Sequence, residues 1–117
     1  MKRVTPHGDV ECFAELDAGA EVTMLEAKPA TLVGAVAGVA RAAVEGAPFG
    51  VRGALVDICA GTATALNDLR GVAAAVEASL PSDVPCLVYF SFGEQGMVGG
   101  RVRHGNLMLG VTLFGGV

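Results

Sequence analysis

Tryptophan is absent from this 117-residue chain, and aromatic residues make up only 5% of it. Basic residues are also few: eight Lys and Arg against twelve Asp and Glu leave a formal charge of −4, with a pI near 5.0. A general nucleic-acid partner calls for a basic stripe and usually for stacking aromatics, so that class is set aside. Cys12, Cys59 and Cys86 are odd in number and lack the close pairs that zinc sites and redox motifs use. They read as small buried hydrophobes in a reducing, cytoplasmic setting. His7 and His104 have no metal-seating spacing. The longest weakly polar run, Ala30 to Ala40, is too short to span a bilayer and stops at Arg41. Met1-Lys2-Arg3 leads to Pro6, His7, Gly8 and Asp9, with no signal-peptide core. The expectation is a cytoplasmic protein with no membrane contact, no metal and no cofactor.

Catalytic motifs are missing as well. No Gly-x-x-x-x-Gly-Lys-Ser/Thr occurs, and the glycines at 93, 96, 99 and 100 precede a strand where a phosphate loop would precede a helix. Phe90-Ser91-Phe92-Gly93 lacks the glycine ahead of a nucleophilic serine. Glu94 has no acidic neighbour to form a carboxylate pair.

Apolar residues, in contrast, are abundant: 52% of the chain, with a mean hydropathy of +0.55. A single domain of this length, residues 1–117, buries a limited fraction of its surface, so a homo-oligomer or a partner-covered face is expected. Asp9 to Leu16 and Glu21 to Ala27 alternate weakly and suggest a hairpin around Asp17-Ala18-Gly19-Ala20. Its acids Glu11, Glu15 and Asp17 read as a solvated face. Pro29 starts a helix whose apolar positions Leu32, Val33, Val36, Val39, Ala40 and Ala43 repeat at helical period, and Gly46 ends it. Gly34 and Gly38 share one face of it, where each costs about 1 kcal/mol against Ala, and suggest close approach of a neighbour.

Gly53 to Cys59 is nearly continuous in apolar character, the mark of a central strand covered on both faces. Asp57 interrupts it, either bonded to backbone or an arginine or serving as a site carboxylate. A second helix follows, capped by Thr62 or Thr64, with Leu66, Leu69, Val72, Ala73, Val76 and Leu80 on its apolar face and Asp68, Arg70 and Glu77 off it. Strands then run from Cys86 to Phe92 and from Leu107 to Phe114. The order is β-β-α-β-α-β-β, an α+β fold with a mixed sheet of four to five strands and two long helices on one face. The other sheet face has no helix to cover it.

Between the last two strands lies a glycine-rich loop. Glu94 is flanked by Gly93 and Gly96, and Arg101, Arg103 and His104 follow. One acid with guanidinium groups suits a zwitterion or a carboxylate, because Arg grips carboxylates through two parallel bonds. The competing reading is a surface hairpin with a solvated ion pair worth about 0–1 kcal/mol.

The run Val84-Pro85-Cys86-Leu87-Val88-Tyr89-Phe90-Ser91-Phe92-Gly93-Glu94-Gln95-Gly96 resembles the aromatic-strand and Gly-Glu segment of the FIST C-terminal domain. Asn106 to Gly115 is similar to its closing strand, Ala54 to Gly61 to its central strand ending in Cys-x-Gly, and Ala18 to Val22 to its turn into a strand. The chain reads as a stand-alone copy lacking the larger N-terminal FIST half. The resemblance implies a sensory, signal-transduction module that binds a small ligand such as an amino acid, with Cys59, Gly61, Gly93, Glu94 and Asn106 as the matching positions. Thr62 stands where the family usually has arginine, and Met108 replaces the threonine of its His-Asn-x-Thr element. With Arg101, Arg103 and His104 from the loop, these positions form the candidate ligand site. The expected partners are an amino acid or small carboxylate, a second copy of the chain, or a separate signalling protein.

Two other function classes remain open. A protein-interaction or assembly module would bind no small molecule; the glycine pattern from Gly53 to Gly61 is similar to the C-terminal domain of the tubulin-like division proteins. A small oligomeric enzyme with an interface active site, as in the chorismate-mutase-like group, would use Glu94, Arg101 and Arg103 on a carboxylate substrate.

Overall fold

The computed structural model describes residues 3–12, 16–66 and 69–116. In chain order the elements are β1 (Arg3–Val4), β2 (Val10–Glu11), α1 (Pro29–Gly46), β3 (Gly50–Cys59), α2 (Ala60–Ala65), α3 (Arg70–Glu77), β4 (Cys86–Ser91), β5 (Gln95–Val98), β6 (Arg101–His104) and β7 (Leu109–Gly116). The fold is α+β, with its main sheet in the order β4-β3-β7. As its apolar run suggests, β3 is central: β4 pairs parallel to it, reached through the helical crossover, and β7 pairs antiparallel.

One face of this sheet carries the core. Ala54, Val56 and Ile58 of β3 are buried, flanked by Val88 and Phe90 of β4 and by Leu109, Val111 and Leu113 of β7. Leu32, Val33, Val36 and Val44 of α1 and Val72 and Val76 of α3 close over them. Each fully buried side chain of this kind contributes about 1.5–3 kcal/mol. The opposite face points Leu55, Leu87, Tyr89, Thr112 and Phe114 away from both helices; Leu87 is 63% and Phe114 55% exposed. There Ser91 Oγ donates to Asp57 Oδ1 at 2.6 Å, so a serine satisfies Asp57 where backbone or an arginine was expected.

Several expectations are corrected. Among the described residues the main sheet has three strands, not four to five. The predicted hairpin of residues 9–16 with residues 21–27 is not formed among the described residues; β2 pairs instead with the upstream β1, where Arg3 also forms an ion pair with Glu11. Phe13, Ala14 and Glu15 of the first predicted strand lie outside the described residues. From Leu16 to Lys28 the chain is exposed and forms neither helix nor strand, because its weak alternation finds no strand to pair with; the expected turn is made, with the Ala20 N–H donating to the Asp17 carbonyl at 3.0 Å. This arm and the β5–β6 hairpin project from the core, and the radius of gyration is 16.4 Å, against about 13 Å for a compact chain of similar length.

The second helix is not continuous. At Leu66 the backbone turns extended, φ −107° and ψ 120°, between α2 and α3. Asn67 and Asp68, the latter expected off the apolar face of the helix, lie outside the described residues. Neither Thr62 nor Thr64 caps α2; the cap is Cys59. The α1 helix begins and ends as its sequence suggests, but a Cβ at Gly34 or Gly38 would meet nothing within 4 Å. The expected close approach is therefore not made by any described residue. Of the cysteines only Cys59 is buried; Cys12 and Cys86 are exposed. No described helix is long and apolar enough to cross a membrane.

Candidate functional site

A cavity of about 710 Å³ lies beyond the carboxyl ends of the parallel strands β3 and β4. Open α/β sheets bind ligands in that position, and sites for small molecules commonly enclose about 300–1,000 Å³. Three segments of the chain build its walls.

The first wall is the passage from β3 into α2. Cys59 ends the strand, and its Sγ accepts the Gly61 N–H at 3.3 Å, a weak thiol cap in place of a hydroxyl. The Cys59 N–H donates to the Met108 carbonyl at 3.0 Å, which ties this wall to the segment entering β7. A Cβ on Gly61 would stand 3.1 Å from Leu107 Cδ2 and 3.3 Å from Cys59 Sγ. The missing side chain is what lets the first turn of α2 come this close. Thr64 and Ala65 complete the wall.

The second wall follows β4. Gly93 has φ +82°, a left-handed backbone that glycine adopts without steric cost. The turn there leaves Phe92 92% exposed at the rim and takes Glu94 to 8% exposure. Oε1 of Glu94 is buried and has no hydrogen-bond partner among the described residues.

The third wall is brought back by a surface hairpin, the competing reading of this loop. Strands β5 and β6 pair antiparallel, and Gly99 and Gly100, at φ +60° and +75°, supply the two positive dihedrals of a type I′ turn. His104 thereby returns opposite Gln95, and the Gly105 N–H donates to the Glu94 carbonyl at 3.1 Å, closing the base of the hairpin. Leu107, expected in the last strand, instead sits before it at φ +55°. That conformation costs a residue with a side chain about 1–2 kcal/mol. It sets Leu107 on the cavity wall beside Asn106.

The cavity thus brings together Cys59, Gly61, Gly93, Glu94, His104 and Asn106 of the candidate residues. Arg101 and Arg103 are not among its walls: both are exposed on β6 and make no ion pair with a described residue. The charge set read from the loop is therefore split, with the acid inside and the guanidinium groups outside. Sequence reasoning missed Thr64, Ala65, Phe92 and Leu107. Phe92 carried a signal, since an apolar residue between a strand and Gly-Glu has no partner strand to face. Leu107 carried none, because its side chain fits the alternation of the strand that follows.

The FIST C domain matches residues 1–97, most of the chain. No curated protein and no solved structure matches it. The matched region holds two of the three cavity walls, Cys59 to Ala65 and Phe92 to Glu94, and ends within β5. Coverage of this extent makes the chain a member of the FIST C domain family, whose domains serve sensory and signal-transduction roles.

Proposed function

We propose that this domain is a sensory module that binds a small molecule in the cavity between α2, the Phe92–Glu94 turn and residues 104–107. The observation that carries the reading is convergence: residues singled out from separate stretches of sequence, Cys59 and Gly61, Gly93 and Glu94, His104 and Asn106, meet around one cavity of suitable size. Of the two ligands expected from the sequence, an amino acid fits better than a simple carboxylate, because Arg101 and Arg103 stand outside the walls.

A thermal-shift screen of a small-metabolite library against the wild type and Ala65→Phe tests this. A ligand at about 100 times its Kd adds about 2.7 kcal/mol of stability, a shift of roughly 10 °C in a domain of this size. A compound that stabilises the wild type and leaves the filled-cavity variant unmoved supports the reading. A library without effect on either protein, or with equal effect on both, refutes it.

The open sheet face favours a second reading, an assembly module. Leu87, Tyr89 and Phe114 form an exposed apolar surface on the side away from the helices. If self-association is the function, light scattering will show an oligomer that Leu87→Arg with Phe114→Arg dissolves. A wild-type monomer at micromolar concentration removes this reading.

A further inference from the structure

We propose that the cavity selects a ligand headed by a protonated amine on an apolar body, held through Glu94 and needing no anionic group. The inference rests on the ligand-binding reading above and narrows its ligand class. Glu94 is more than nine-tenths buried, lines the cavity, and leaves Oε1 without a donor. Buried polar atoms in folded proteins almost always find a partner. Glu94 lines the cavity while its Oε1, shielded from water, has no donor, so the carboxylate of this wall residue is the group that a donor brought by a ligand would satisfy.

The charge on the walls decides which donor. They include one acidic side chain, Glu94, no Lys or Arg, and His104 as the one basic group. A carboxylate ligand would meet that acid with no guanidinium to offset it. An ammonium group supplies both the missing N–H and the opposite charge, and charge-assisted bonds of this kind are roughly twice as strong as neutral ones. Phe92, Leu107 and Ala65 offer an apolar surface to the rest of the molecule.

Calorimetric titration with probes of one hydrocarbon skeleton separates the possibilities: 3-methylbutylamine, L-leucinamide, L-leucine and 4-methylpentanoate, with the corresponding phenylalanine series as a second skeleton. The amine and the amide are expected to bind best, the amino acid more weakly, and the carboxylate not at all. Glu94→Gln, checked for folding by circular dichroism, should weaken the amines about tenfold or more, the worth of a hydrogen bond to a charged group. Arg101→Ala with Arg103→Ala should leave them unchanged. Binding of 4-methylpentanoate in preference to the amines, or loss of amine binding in the arginine variant with Glu94→Gln silent, overturns the inference. If the amines fail while the library screen yields an anionic or neutral ligand, the ligand class falls and the sensory reading stands. If both experiments are silent, both fall.

Discussion

Replacing Glu94 by Met should make the unliganded protein more stable, the reverse of what removing a buried hydrogen-bonding group usually does. Oε1 of Glu94 is buried and accepts no hydrogen bond from a described residue. An unsatisfied buried acceptor costs about 1–3 kcal/mol, more when it is charged. Methionine has nearly the same length and fills irregular space well, so it removes the oxygens without opening a hole. The backbone carbonyl of residue 94 still accepts from Gly105, so the base of the hairpin is kept. A gain of about 1–2 kcal/mol is expected, which in a domain near 100 residues raises Tm by roughly 4–8 °C per kcal/mol. Urea titration followed by circular dichroism measures it, and an unchanged m-value shows that the folded state is the same. The same variant should bind no amine. A loss of more than about 1 kcal/mol would show that the Glu94 side chain already has a partner in the folded chain, and would refute the argument.

Three further predictions follow from named contacts. A Cβ on Gly115 would collide with the Phe49 ring and lie 2.8 Å from the Gly50 carbonyl, so Gly115→Ala should cost about 1–3 kcal/mol in chemical denaturation, only partly recovered by adding Phe49→Ala. Gly34→Ala and Gly38→Ala face open space and should each stabilise the chain by about 1 kcal/mol; a lower Tm in either would reveal a neighbour seated on that face of α1. Although Cys86 is largely exposed, partial desolvation, aided by the negative charge of Glu77, pushes its thiol above the ordinary pKa, so the reactive thiolate is scarce near neutrality. Alkylation of Cys86 should therefore be slow at pH 7.5, accelerate as pH rises, and be faster in Glu77→Gln; equal rates in the two proteins would contradict this assignment of the cause.

What the sequence made legible followed from side-chain periodicity against a buried surface. Pro29 and Gly46 bound α1 because their backbone preferences act locally, and β3 is readable because its run from Ala54 to Cys59 is apolar but for Asp57. Leu109, Val111 and Leu113 alternate because one side of β7 meets the core. The glycine-rich loop was legible as a surface hairpin only as one of two alternatives, and its strands β5 and β6 were not placed, for the opposite reason. Every side chain of β6 is exposed, so no burial pattern marks it, and only Gly99-Gly100 signals the turn. The arm from Leu16 to Lys28 misled because alternation states a preference for pairing and cannot supply a partner. At the site, residue types were readable but not their placement: Arg101, Arg103 and His104 are near neighbours in sequence, yet only His104, at the base of the hairpin, reaches the cavity.

The hairpin also has mechanical properties set by its pairing. Strands β5 and β6 bond only to each other and share no ladder with the three-stranded sheet. The pair is anchored at its base, between Glu94 and Gly105, beside the cavity. From there to the Gly99-Gly100 tip is a span of about four residues, roughly 13 Å at the rise of a strand. Such a unit behaves as a cantilever: it turns as one piece about its root, and its free end travels farthest. A change of a few tenths of an ångström between Glu94 and Gly105 becomes a displacement of an ångström or more at the tip, and the exposed arginines of β6 travel with it.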